Sequence, residues 1–350
     1  MKRIGYSGAA KMFKWLITAL SKVNGIEVVV FTYMPSADGM VLPSNVKWID
    51  SDMRKNGFLS RLSVIRKTIK QENPDVCISF LLDANIFNIL ACLGMNAKSV
   101  VCERLDPYMK GYYKTDILKP LFCLADGAVF QLKKVGEYYS NIKKPTAVIP
   151  NPIINSVNGE IEPFEKRNKV IINLARLDIK QKRQDLLIKA FALFAEEYPD
   201  YSLYLWGSGP DEGKLKSLAK QQGVEDKVFL PGVTNDSKNV IKKARLYAFA
   251  SDSEGIPNSI IEAMQVGLPC VATKCSPGGA ELLIQNGVNG YLVERGDYQS
   301  LYNKLKYLVE NPKEADRIGK EAKKISNTFS EEKITEMWVT YLKTFERTNV

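Results

Sequence analysis

Short apolar runs of strand length alternate with longer stretches whose apolar residues recur at helical spacing, and the chain does this twice over. In the first half, strands are expected at 26–33 (IEVVVFTY), 74–82 (PDVCISFLL), 98–102 (KSVVC), 126–131 (DGAVFQ) and 146–149, with residues 1–6 a short first strand at best. Helices are expected at 11–23, 59–71, 84–93 and 133–139, and 34–55 reads as irregular. In the second half, strands fall at 170–175 (VIINLA), 201–206, 227–231, 247–251, 270–273 (CVAT) and 290–293. The helix at 184–198 carries its stripe on Leu187, Ala190, Phe191, Phe194 and Ala195. Others follow Gly209 and Gly279, and more lie at 236–244, 258–266, 297–310, 312–326 and 330–347, with a loop at 178–182. Pro150-Asn151-Pro152 and the Gly-, Pro-, Asn- and charge-rich stretch after it separate the two series.

Strands alternating with helices predict α/β domains with parallel sheets, here two Rossmann-like doubly wound domains facing across a cleft. The expected boundaries are 1–154 for an N-terminal domain, 155–168 for a linker and 169–329 for a C-terminal domain. A last helix at 330–350 is expected to return to the N-terminal domain.

Composition narrows the chemistry. The 350 residues contain no histidine, which excludes Ser-His and Cys-His nucleophiles and His-ligated metals. The six cysteines form no CxxC pair and fit buried, reduced thiols of a cytoplasmic protein. No apolar stretch is long enough to span a bilayer, and residues 1–11 hold no signal-peptide core. The net charge of +10 is uneven: residues 1–150 hold 21 Lys/Arg against 12 Asp/Glu, while 151–350 hold 28 against 27. A basic domain beside a near-neutral one implies an anionic partner. The basic, aromatic segment at 108–124, PYMKGYYKTDILKPLF with its flanks, suits an interface or a lipid-phosphate acceptor as well as a solvated helix face.

The densest chemistry lies at 247–273, YAFASDSEGIPNSIIEAMQVGLPCVAT. It reads as strand, turn, helix N-terminus and strand, which places the turn at a strand's carboxyl end, where open α/β sheets bind ligands. The start of the helix offers unpaired N–H groups to an anion. Two carboxylates flank it, Glu254 in the turn and Glu262 on the helix. Each has a plainer reading: Ser259-Ile-Ile-Glu262 fits a capping box, and Glu254 fits a solvated loop residue. Arg176 at the end of the strand VIINLA and Lys182 in the loop after it can neutralise a diphosphate without a metal. Glu103-Arg104 stands at another strand's carboxyl end, in ERLDP. The Gly-rich turn Gly5-Tyr-Ser-Gly8 leads into a helix and could hold a phosphate. Asp50-Ser51-Asp52 matches a metal-holding DxD string but lacks the strand before it, and reads as a surface loop.

The string EGIPNSIIEAMQVGLPCVAT closely resembles the donor-sugar motif of retaining glycosyltransferases of the GT-B fold, the large family 4 group. Arg176-Leu-x4-Lys182 resembles the same family's phosphate pair, and Glu103-Arg104 with Asp106-Pro107 resembles a segment of its members that build surface polysaccharides. Against that family the first strand is clipped, so the chain is expected to start short of the domain's own beginning. The resemblance implies transfer from a nucleotide diphospho-sugar, a UDP-sugar by expectation, with retention and without a cofactor or metal. It implies that Glu262 binds the ribose, and that Glu254 with the amides of Gly255, Ile256 and Pro257-Asn258 meets the sugar. It further implies that Gly207 and Gly209 approach the nucleotide and that the Leu230–Val233 backbone meets the base. Glu103 and Arg104 are the candidates for the partner of the sugar in the N-terminal domain. The expected acceptor is a phosphorylated polyprenyl-linked glycan at the anionic inner face of the cell membrane.

Other classes stay open to different degrees. A dehydrogenase would want GxGxxG after the first strand, which Gly5-x-x-Gly8 fails. Nucleic-acid binding would explain the basic half but not the Glu254/Glu262 element. A non-catalytic GT-B sugar-nucleotide binder shares every binding feature, and a GT-B sugar-nucleotide epimerase shares the fold.

Overall fold

The computed structural model describes all residues except 1, 3, 5–7, 37–39, 105, 109–115, 155–160, 235 and 347–350, and omits the side chains of 8–9 and 116–119. The chain divides into two compact units, Met1–Pro152 with Ser330–Val350, and Ile153–Phe329.

In the first unit, α1 (Gly8–Leu20) precedes β1 (Val29–Thr32), β2 (Lys47–Asp50), α2 (Phe58–Glu72), β3 (Val76–Phe80) and α3 (Leu82–Cys92). Then come β4 (Lys98–Glu103), a 3-10 stretch at Asp116–Leu124, β5 (Gly127–Phe130), α4 (Lys133–Tyr138) and β6 (Thr146–Val148). The strands form two parallel sheets, β1–β2 and β3–β4–β5–β6. β2 falls inside the stretch expected to be irregular. None of its residues is fully buried, so it carries no apolar run for a sequence pattern to find. Helix α3 is apolar but holds two buried asparagines. Asn85 Nδ2 donates to Cys102 O at 3.1 Å, and Asn88 Nδ2 donates to Cys77 O at 2.7 Å and Val100 O at 3.2 Å. These bonds fasten α3 to the carbonyls of β3 and β4 and satisfy groups that burial would otherwise penalise.

The second unit contains β7 (Asn168–Leu174), α5 (Ile179–Lys182), α6 (Gln184–Glu197), β8 (Ser202–Trp206), α7 (Glu212–Gln221), β9 (Val228–Gly232) and α8 (Ser237–Lys243). It continues through β10 (Ala244–Phe249), α9 (Asn258–Gln265), β11 (Cys270–Thr273), α10 (Gly279–Leu283), β12 (Tyr291–Val293), α11 (Tyr298–Glu310), α12 (Pro312–Lys323) and α13 (Ile325–Thr328). Its six strands lie in the order β12-β11-β10-β7-β8-β9, all parallel. The chain starts at the centre with β7, winds outward to β9, then crosses back to β10. The winding direction therefore reverses between β7 and β10, the crevice where doubly wound sheets receive ligands. The expected stripe of α6 is buried throughout, with Phe191 and Phe194 in the core.

Three details differ from the sequence pattern. Residues 178–182 form a helical turn, α5, rather than a loop. β10 starts at Ala244, three residues ahead of the expected strand, with the Arg245 guanidinium buried against Arg167 O, Glu165 O and Tyr201 Oη. Residues 161–168, read as linker, pack into the second unit through buried Phe164 and Arg167. The Arg167 guanidinium donates to Val266 O at 2.9 Å and to Glu162 O at 3.0 Å.

Helix α14 (Glu331–Lys343) belongs to the first unit. Ser330 caps it by accepting from Lys333 N. Trp15 Nε1 donates to Glu331 Oε2 at 2.6 Å, Tyr341 Oη donates to Pro145 O at 3.0 Å, and Trp338 is buried.

Candidate functional site

The carboxyl ends of β7 and β10 carry the residues singled out from the sequence. After β7 the chain passes through Arg176 into α5, which ends at Lys182. After β10 it passes through residues 250–257 into α9. The Lys182 ammonium and the Glu254 carboxylate form an ion pair in which both side chains are mostly buried. Arg176 is different: its side chain is 61% exposed and comes only within 4.0 Å of Asp178. One cation is thus committed to the loop after β10, and the other is open to solvent.

The two loops are stitched together along the chain. Asp252 N donates to Gln181 O at 2.9 Å, and Gln181 Nε2 donates to Ser253 O at 3.0 Å. Gln184, fully buried, donates from Nε2 to Arg176 O at 2.7 Å. On the far side, Glu254 N donates to Ser276 O at 2.8 Å, and Ser276 N donates to Asp252 O at 2.9 Å. Ser276 and Gly279 lie in SPGG, which follows β11. A Cβ at Gly279 would overlap the Gly255 carbonyl oxygen, so glycine is what lets this segment back the Glu254 loop.

Helix α9 begins at Asn258 behind Pro257, its N-cap, which makes no side-chain cap bond. Ser259 therefore lies inside the first turn, and Ser259/Glu262 do not form the capping box that their spacing allows. Glu262 is partly exposed. Ile260 N and Ile261 N donate to Pro257 O. Among the described residues, no backbone partner is found for the amides of Gly255, Ile256, Asn258 and Ser259. These amides lie between the two glutamates at the positive end of the helix. Ile256 and Pro257 are buried, and burial raises the pKa of the Tyr247 hydroxyl, which receives Leu174 N beneath the site.

Gly207 and Gly209 line the neighbouring strand end. A Cβ at Gly207 would overlap Ala175 O, and one at Gly209 would overlap Leu177 O. The β8–α7 turn thereby lies directly on the chain that leads to Arg176, with Leu177 N donating to Ser208 O at 3.1 Å. Leu230 packs partly into the core, and Val233, past the end of β9, is 70% exposed.

The first unit has its own polar cluster at strand ends. The Arg104 guanidinium lies 4.5 Å from the centre of the Phe80 ring, and its Nη1 donates to Asn151 Oδ1 at 3.1 Å. Buried Gln131 donates to the same oxygen at 2.6 Å. Burial holds the Arg104 pKa below its usual range. Glu103 is 1% exposed, with its carboxylate accepting from Arg104 N at 2.9 Å and Tyr139 Oη at 3.3 Å. Gly8 opens α1, while Gly5 lies outside the described residues, as does most of the basic segment around Lys110–Lys119. Of the DxD string, Asp50 ends β2 and accepts from Thr32 Oγ1, and Asp52 pairs with Arg54 at 2.7 Å. Among the described residues no group of three or more His, Cys, Asp or Glu is placed to hold a metal ion. Among them, too, no helix is long and apolar enough to cross a membrane.

Sequence reasoning missed Arg183, Gln184, Asp252 and Gly279. Arg183 and Asp252 meet across 69 residues of chain, Gln184 bonds the Arg176 carbonyl and Gly279 packs on the Gly255 carbonyl, and none of these contacts leaves a local pattern.

Residues 158–325 match the family described as Glycosyl transferases group 1. An uncharacterized glycosyltransferase of Haemophilus influenzae is 29% identical over 296 residues, 81% of this chain and 80% of its own length. The Campylobacter jejuni enzyme named N-acetylgalactosamine-N,N'-diacetylbacillosaminyl-diphospho-undecaprenol 4-alpha-N-acetylgalactosaminyltransferase is 29% identical, over 79% of this chain and 78% of its own length. Among solved structures, Anabaena HepE in complex with UDP and glucose matches with a TM-score of 0.81, over 98% of this chain and 100% of that one, at 20% identity. The shared fold is GT-B.

Proposed function

We propose that the chain, whose residues 158–325 match the group 1 glycosyltransferase family, moves a hexose or N-acetylhexosamine from a UDP-sugar to a phosphorylated polyprenyl-linked glycan, with retention of configuration. The observation that carries this reading is the Lys182–Glu254 pair beside the open amides of α9, at the switch point of the second unit's sheet.

The bond from the anomeric carbon to the β-phosphate breaks as the bond to the acceptor oxygen forms. The diphosphate gains charge as it departs. Exposed Arg176, Lys182 and the amides at the start of α9 meet that charge as preorganised donors. Glu254 anchors Lys182 and offers its second oxygen to sugar hydroxyls. Glu262, the fifth residue of α9 and free of any capping duty, takes the ribose hydroxyls. With no histidine in the chain, the departing phosphate receives the acceptor's proton. In the first unit Arg104 packs on Phe80 and bonds Asn151, and Glu103, turned inward, holds its main chain. The Campylobacter relative's name supports the lipid-linked acceptor, and the basic first half supports docking on the anionic inner face of the membrane.

No metal is assigned a role. Asp50 and Asp52 are engaged by Thr32 and Arg54, so full activity is expected in EDTA. Loss of activity in EDTA with rescue by manganese would instead give that pair a metal. The donor reading is tested by adding UDP-, GDP- and ADP-sugars separately and following thermal shift and slow sugar hydrolysis. UDP-sugars are expected to raise the melting temperature and to be hydrolysed; a response to GDP- or ADP-sugars alone would reject the donor, and binding without any turnover or transfer would favour the non-catalytic binder.

A further inference from the structure

Arg183 is the residue between Lys182 and Gln184, at the joint where α5 ends and α6 begins. Its backbone sits at φ 51°, ψ 39°, the left-handed region, where glycine is at ease and an arginine is not. Its guanidinium is divided between two carboxylates. Nε and Nη2 donate to Asp185 at 3.1 and 3.2 Å, while Nη1 donates to Asp252 Oδ2 at 3.1 Å, across 69 residues of chain. Asp252 has no other side-chain partner among the described residues, and its Oδ1 is buried without a hydrogen bond.

The four residues 181–184 each reach a different part of the site. Gln181 holds Ser253, Lys182 pairs with Glu254, Arg183 holds Asp252, and Gln184 holds the Arg176 carbonyl. Of these, Arg183 alone occupies a backbone conformation that its residue type disfavours. Its ion pairs therefore hold the turn in the shape that aims Lys182. Without them Asp252 stays as an unpaired, partly buried carboxylate two residues before Glu254, and Lys182 is left to serve both carboxylates.

We propose that Arg183 is a positioning residue for the transfer reaction: its bridge between Asp185 and Asp252 fixes the Lys182 turn against the Glu254 loop and keeps Lys182 on the glutamate until the diphosphate arrives. This rests on the donor-site reading of Lys182 and Glu254.

The test measures two things on the full chain carrying Arg183→Ala, Arg183→Gly, Arg183→Lys and Asp252→Asn, with Lys182→Ala alongside. The first is hydrogen–deuterium exchange over 178–185 and 251–256. The bridge predicts faster exchange in both segments for Arg183→Ala, Arg183→Gly and Asp252→Asn, with Lys intermediate because an ammonium cannot fork between two carboxylates. The second is turnover of the donor. Here kcat is expected to fall on the order of 10–100-fold, the scale on which misplacement of a positioned group by about 1 Å acts, with a smaller change in KM for the UDP-sugar. Arg183→Gly is decisive, since glycine adopts the left-handed backbone freely but carries no charge. Wild-type exchange and turnover in that variant would overturn the proposal, and so would faster exchange confined to 178–185. If the Arg183 variants loosen both segments but Lys182→Ala turns over normally, the bridge stands and the donor-site reading fails.

Discussion

In the second unit the strand ends at β7, β8 and β10 are shaped by glycines, open amides and the ion pairs of Lys182 and Arg183. In the first unit the strand ends are filled with side chains: Arg104 over Phe80, Gln131 and Arg104 sharing Asn151, and Glu103 beneath Tyr139. The charges divide the same way, with 24 basic against 16 acidic residues in the first unit and 25 against 23 in the second. A site that meets a diphosphate with main-chain donors needs little net charge, because helix ends and amides supply a positive field at fixed positions. A unit that attracts an anionic surface or a long, charged acceptor draws on the sum of many side chains, none of which needs an exact place.

Glycine tests this contrast most sharply. Gly279→Ala would drive a methyl into the Gly255 carbonyl, a backbone atom that cannot move without shifting the Glu254 loop. A loss of more than about 4 kcal/mol is expected, the range in which a single change is exceptional and diagnostic. In the first unit, Gly25 has a positive φ (81°), which Gly279 lacks, but nothing lies within 4 Å of an added Cβ. There Gly25→Ala should cost only about 1–2 kcal/mol, the left-handed backbone penalty alone. Chemical denaturation of both variants makes the measurement. Equal costs would mean that the second unit's main chain is no more tightly constrained than the first's.

Next in size are the two cations. Arg176→Ala and Lys182→Ala are each expected to remove about 2–4 kcal/mol of transition-state stabilisation while the fold survives. Lys182→Ala should also strand Glu254, which has Ser251 Oγ only at 3.5 Å as a second partner, so it should cost some stability as well. Exposed Arg176 should show the kinetic defect without the thermal one. Initial rates beside melting curves separate the two, and near-normal rates in both variants would remove the phosphate assignment.

The contrast between units also explains what could be read before the structure. The motif from Glu254 to Glu262 was legible because turn, helix start and strand follow one another within a single local stretch. Arg176 and Lys182 were legible because a strand end and a spacing of six fix them. Strand β2, Lys47–Asp50, was not, since a half-exposed edge leaves no alternation. The Asn85 and Asn88 anchors of α3 were not, because an asparagine in an apolar helix does not announce which carbonyl it serves. The capping-box alternative at Ser259/Glu262 has the right spacing, but the helix starts at Asn258 with Pro257 as its N-cap.

The two readings of Glu262 set up the third prediction. A ribose ligand and a capping residue differ in what their loss does. If Glu262 binds ribose, Glu262→Ala should weaken UDP by about 1–2 kcal/mol in calorimetry, the scale of a hydrogen bond to a charged group. Stability should hold, because Glu262 closes no cap. A capping role would reverse the pattern, lowering stability by about 0.5–2 kcal/mol and leaving UDP affinity unchanged.

The smallest expected effect concerns the charge split itself. If the basic half docks on an anionic leaflet, each lysine there contributes about 1 kcal/mol, and no single one is essential. Replacing Lys110, Lys114 and Lys119 by Gln should therefore weaken sedimentation with vesicles containing anionic lipid, in steps of about fivefold per residue. The same number of changes at exposed Lys220, Lys313 and Lys320 of the second unit should do far less, since charge there is already balanced. Binding should fade as salt rises, because screening shortens the reach of each charge to about 3 Å at 1 M. Neutral vesicles should bind poorly at every salt concentration. Equal losses from both lysine sets would mean that net charge, not its placement in the first unit, governs binding. No binding to anionic vesicles at all would leave the charge asymmetry without a membrane role and turn attention to a water-soluble acceptor.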